Sequence, residues 1–164
     1  MFTRTCCFAF SLILGSVAAA SAQPTRIKQF DAWGVYSYTS GGQKNCYALS
    51  VPLSAQPTNV NHGDNFLLIA PSSGSAYAPQ AIMGYNLKQD GDIRARVDDK
   101  AFDLRPKENA AWVSNQAAEP EMVNAMKAGR QLVLQATSQR GTDTSYTFSL
   151  SGVTAALKEV EKCR

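Results

Sequence analysis

The side chains that could do chemistry in this sequence are few, and their spacing argues for recognition rather than catalysis. His62 is the only histidine. It stands in His62-Gly63-Asp64, a turn-like stretch, whereas a catalytic triad or a histidine-based zinc site needs further partners. There is no Gly-x-Ser-x-Gly elbow and no phosphate loop. Asp90, Asp92, Asp98, Asp99 and Asp103 flank turns between alternating strands. A calcium loop needs oxygens at tighter and fuller spacing, so these read as solvated turn carboxylates. No catalytic residue, no cofactor and no metal is expected. The stretch "QRGTDT" offers recognition chemistry instead. It sets Arg140 and Thr142 at a hairpin tip, and an arginine fork suits a carboxylate or phosphate partner. The competing reading is structural: Gly141 sets the turn and Arg140 pairs with Asp143. Trp33 and Trp112 are expected in the core, where a small sandwich usually keeps its tryptophans.

Cysteine chemistry depends on the compartment. The opening "MFTRTCCFAFSLILGSVAAASAQP" has a positive Arg4, an apolar run from Cys6 to Ala20, and small residues Ala20-Ser21-Ala22. That is the layout of a cleaved secretory signal, residues 1–22, with cleavage before Gln23. The run falls short of the roughly 20 apolar residues that span a bilayer. No later segment is more apolar, so no transmembrane segment is expected after cleavage. Removing the signal takes Cys6 and Cys7 away and leaves Cys46 and Cys163. An oxidising compartment then allows a single pairing, Cys46–Cys163, with two free thiols as the competing reading. Residues 23–164 fit one domain with its own core. The net charge is only +3 and no basic run occurs, so nucleic acid is not an expected partner.

These residues must be held by elements that the pattern also suggests. Gln23 to Thr25 reads as a linker. "FDAWGVYSY" reads as a strand, "SGGQKN" as a turn and "CYALSVP" as the return strand. "QPTNVNHGDN" is loop, "FLLIAP" a buried strand, "PSSGSAYAP" loop, and "QAIMGYNL" a strand. "DIRARVD" alternates, with Ile93, Ala95 and Val97 on one face. "AFDL" and "AAWV" follow as strands. "EPEMVNAMKAGR" reads as a helix with Met122, Val123 and Met126 on one face and Gly129 as its stop. "RQLVLQATS" and "TSYTFSL" form a hairpin around "QRGTD". Ser151 is expected to cap a last helix, in which Val153, Ala156, Leu157 and Val160 form a stripe. Cys163 lies at the edge of that stripe. About seven to nine short strands without βαβ alternation point to an antiparallel β-sandwich.

The same residues resemble the invasion-associated locus B family of exported Gram-negative proteins. The likeness rests on Phe30 and Trp33, Cys46 in "CYALS", Gly84-Tyr85, Ala111-Trp112, Arg140-Gly141-Thr142, Ser149-Leu150 and Gly152. It implies a mainly β, immunoglobulin-like antiparallel β-sandwich with one or two short helices, one of them C-terminal. It also implies an exported, non-enzymatic binding protein of the cell envelope linked to host-cell invasion. Its partner would be an unidentified protein in the envelope or on host cells. Its location would be the periplasm, with outer-membrane association or secretion as further destinations. Many members carry another cysteine soon after the tryptophan, where this chain has Val35, Tyr36 and Ser37. The alternative function is a periplasmic inhibitor of a hydrolase such as lysozyme.

Overall fold

The computed structural model describes residues 23–73 and 77–163. The signal-like residues 1–22, and residues 74–76 of the "PSSGSAYAP" loop, lie outside the described residues. The described chain is built on eleven strands and two helices. They are β1 (Thr25–Phe30), β2 (Trp33–Ser40), β3 (Gln43–Ser50), β4 (Ser54–Gln56), β5 (Phe66–Pro71), β6 (Tyr77–Ile82), β7 (Ile93–Val97), β8 (Lys100–Lys107), β9 (Ala110–Val113), α1 (Glu119–Ala128), β10 (Gln131–Thr137), β11 (Asp143–Ser149) and α2 (Val153–Glu161). All pairings are antiparallel, in the order β1-β2-β3-β5-β6-β9-β8-β7-β10-β11-β4. The expected mainly β sandwich with a C-terminal helix is present. Its hydrogen bonding, however, runs through one continuous ladder rather than two separate sheets.

The ladder folds over because the buried faces of β2 through β11 share one core. Alternation produces those faces. Ile93, Ala95 and Val97 on β7 are buried, as are Leu132, Leu134 and Ala136 on β10, and Tyr146 and Phe148 on β11. β10 and β11 pair without a slip from Gln131↔Ser149 to Thr137↔Asp143. Trp33 is fully buried, and its indole N–H donates to the Ser149 carbonyl at 3.0 Å. The Ala32 amide reaches the Ser151 carbonyl at 3.3 Å. These two bonds seat the first hairpin against the end of β11. The helices cover the rest of the core, α1 through Met122, Val123 and Met126, and α2 through Val153, Ala156, Leu157 and Val160. The Tyr77 hydroxyl, on β6, joins the layers by donating to the Leu157 carbonyl at 3.1 Å.

Several expectations need correction. "FDAWGVYSY" is two strands, because Asp31 turns the chain in the left-handed region at φ 48°; a short Asp side chain tolerates that conformation. Thr25 is no linker residue but pairs with Ser37. β3 begins at Gln43, directly after a Gly41-Gly42 loop with φ of 58° and 76°, a two-residue hairpin turn. β6 begins at Tyr77, ahead of the expected Gln80. Ser151 does not cap α2. The cap position is Gly152 at φ 92°, and a Cβ there would lie 2.0 Å from the Phe30 carbonyl oxygen. The Ser151 hydroxyl instead donates to Asp31 Oδ2 at 2.9 Å. Trp112 is only half-buried, since its neighbours Ala111 and Val113 take the inward positions of β9.

Candidate functional site

Cys46 and Cys163 form a disulfide, with Cα atoms 5.9 Å apart. Cys46 lies on the inward face of β3 beside buried Ala48. Cys163 follows the last turn of α2, its amide bonded to the Val160 carbonyl at 3.1 Å. The link therefore fixes α2 on the first half of the sheet. The five aspartates are exposed. Asp103 pairs with Arg94 at 3.0 Å, and Asp98 accepts the Arg130 amide at 3.2 Å.

Arg140 and Thr142 stand at the tip of the β10–β11 hairpin. The tip is a closed unit. The Ser138 amide donates to the Thr142 carbonyl at 2.9 Å, the Gly141 amide to the Ser138 carbonyl at 2.8 Å, and the Thr142 amide to Ser138 Oγ at 3.1 Å. Gly141 sits at φ 86° with open space around its Cα, so it is required for backbone shape, not for clearance. The Gln139 amide bonds the Asn86 carbonyl at 2.8 Å, tying the tip to the chain after β6. Asp143 does not pair with Arg140; its Oδ1 accepts the Thr137 hydroxyl at 2.7 Å. The exposed Arg140 guanidinium makes no ion pair among the described residues.

Beside that fork lies a cleft of about 630 Å³, lined by His62, Tyr85, Asn86, Arg140, Thr142 and Thr144 among others. Its wall is a chain of hydrogen bonds. A carbonyl can only accept, so the contact of 2.9 Å with the Pro57 carbonyl places a proton on His62 Nε2. In the neutral ring Nδ1 then receives the Tyr146 hydroxyl at 2.7 Å. Tyr146 Oη also lies 3.2 Å from Tyr85 Oη. Thr144 Oγ1 donates to the Ala136 carbonyl at 2.9 Å and so accepts from the Tyr85 hydroxyl at 2.6 Å. Burial, followed by the hydrogen bond and charge of Tyr85, holds the Tyr146 phenol far above the usual tyrosine range. Tyr146 itself is fully buried and backs the cleft from behind His62 and Tyr85, which line it.

The His62 loop is held by close backbone contact. A Cβ on Gly84 would lie 2.6 Å from both the Asp64 nitrogen and the His62 carbonyl oxygen. Asn65 clamps the contact, taking the Gly84 amide at 3.0 Å and donating to the His62 and Gly63 carbonyls at 3.2 and 3.1 Å. Sequence reading places Arg140 and Thr142 correctly at a turn but misses His62, Tyr85, Thr144 and Tyr146 as their neighbours. One signal was present: Thr144 and Tyr146 are two apart on β11, and a threonine on an otherwise apolar inward face calls for a polar partner.

The fold and site define a disulfide-closed antiparallel β-sandwich with a polar cleft at one hairpin end. The family described as invasion associated locus B (IalB) protein matches residues 33–161, and the chain belongs to that family. Proteins of this family are exported, and the disulfide fits an extracytoplasmic location. A solved relative is the crystal structure of invasion associated protein B from Bartonella henselae. It is 15% identical, with a TM-score of 0.61, covering 82% of this chain and 94% of that one. At that identity the likeness is one of fold. No curated protein matches the chain. No helix among the described residues is long and apolar enough to cross a membrane.

Proposed function

We propose that residues 23–164 form an exported, non-enzymatic binding protein of the cell envelope. It engages a protein partner, on host cells or in the envelope, through the cleft around Arg140 and Thr142. The observation that carries this reading is the unpaired Arg140 fork at the rim of a polar cleft. The bonds inside the hairpin hold its base in place, so little backbone ordering is lost on binding. The fork suits an acidic side chain or a C-terminal carboxylate on the partner. Family membership supports the link to invasion.

Fluorescently labelled residues 23–164 test this on intact host cells by flow cytometry. The parent binds saturably, and Arg140→Ala weakens binding by about tenfold, the effect of one charge-assisted bond. Equal binding by both proteins overturns the role given to Arg140. The projecting arginine also favours a second reading, inhibition of a glycoside hydrolase, whose paired catalytic carboxylates present the same chemistry. A lysozyme assay with the same two proteins separates the readings: inhibition lost in Arg140→Ala supports the second.

A further inference from the structure

Strands β3 and β5 are paired at only three positions: Ala48↔Ile69, Leu49↔Leu68 and Ser50↔Leu67. Yet β3 reaches back to Gln43 and β5 runs on to Pro71. The register explains the early stop. Ser40 and Gln43 flank a two-residue hairpin loop and so exchange hydrogen bonds. The β2–β3 pairing has no slip, so Asn45, Tyr47 and Leu49 also bond to β2. The main-chain groups of Lys44, Cys46, Ala48 and Ser50 therefore aim the other way, toward β5. Ala48 and Ser50 meet Ile69 and Leu67 there. The next partner, opposite Cys46, would be Pro71. Proline has no N–H, and its ring fills the place of one. The Cys46 carbonyl gains no donor, and the strands part.

What opens is a slit of about 680 Å³, with Lys44, Cys46 and Tyr47 on one wall, Leu68 and Pro71 on the other, and Cys163 at its inner end. It shares no residue with the Arg140 cleft. Among the described residues, Lys44 and Cys46 have no backbone partner on this side. We propose that the slit takes an extended peptide as an added strand on β3. The occupant follows from the chemistry of the edge. Donor and acceptor pairs two residues apart along a strand are matched by another extended backbone. Tyr47 and Leu68 give its side chains apolar walls, and Lys44 favours an acidic residue at that end. The disulfide holds the edge in place through Cys46 itself.

The probe is an acetylated, amidated hexapeptide of alternating glutamate and valine, titrated into oxidised residues 23–164 and followed by amide hydrogen exchange. In the free protein the Lys44 and Cys46 amides exchange at least about tenfold faster than those of Asn45 and Tyr47. Millimolar peptide slows them. A peptide N-methylated at alternate residues does not. Pro71→Val restores the donor that the Cys46 carbonyl lacks and lets the ladder continue, so the Cys46 amide also meets the carbonyl of residue 71, becomes protected without peptide, and affinity for the probe falls at least about tenfold. Protection of Cys46 in the free parent overturns the proposal. So does failure of millimolar peptide to slow the two amides, or equal binding of the N-methylated peptide or by Pro71→Val. None of these results bears on the Arg140 cleft.

Discussion

Cutting the crosslink by Cys163→Ser tests the feature that joins the two ends of the fold. The closed loop has a sequence separation of 117, for which chain entropy gives roughly 4–5 kcal/mol of stabilisation. The freed Cys46 is 4% exposed on an apolar face, where a thiol packs as a small hydrophobe. The crosslink therefore accounts for most of the expected loss. Unfolding entropy near 2.1 cal/mol/K per residue makes about 0.3 kcal/mol/K for a domain of this size. The melting temperature of residues 23–164 should then fall by about 15 °C. Calorimetry with and without dithiothreitol is the assay. Reductant should bring the parent down to the variant and leave the variant unmoved. A fall under about 5 °C, or a variant that itself responds to reductant, would refute the reasoning.

Arg140→Ala should change stability by no more than about 0.5 kcal/mol, because the side chain is exposed and unpaired; a thermal melt checks it. Tyr146→Phe removes the hydroxyl 2.7 Å from His62 Nδ1 and should cost about 1–3 kcal/mol in urea unfolding. The same residue sets an alkaline limit. Its phenol is raised in the folded state, so the folded protein keeps that proton more tightly than the unfolded chain. Its contribution is complete below the ordinary tyrosine value of 10.0 and is lost as pH climbs above it. Tyr146→Phe should flatten the fall in melting temperature above that pH. Gly152→Ala meets both a φ of 92° and the Phe30 carbonyl, and should destabilise by more than about 1 kcal/mol.

Period-two and helical patterns made much of the fold legible. Ile93, Ala95 and Val97, the β10–β11 hairpin and both helix faces are where alternation and spacing put them. Local propensity hid the first turn. Aromatic and β-branched residues run through "FDAWGVYSY", and only tertiary contact, Trp33 to Ser149 and Ser151 to Asp31, decides that the chain reverses at Asp31. The same contact explains why Gly152, not Ser151, starts α2. Within the site, Arg140 announced itself through its turn residues. The cleft wall did not, because His62 and Tyr146 are 84 residues apart and meet only after Gly84 lets the His62 loop settle. A lone histidine has no spacing to read.

The covalent ring from Cys46 to Cys163 also divides the molecule mechanically. β1, β2 and the first residues of β3 lie outside it, while every later strand and both helices lie within. Tension applied between the two termini passes through the sulfur bridge and never loads the enclosed elements. In residues 23–164 only the segment from Gln23 to Cys46 can be drawn out, about 80 Å of contour against about 490 Å for the same residues with their thiols reduced. A molecule held at one end on a cell and tugged at the other would give up its leading hairpin before any strand inside the ring is pulled.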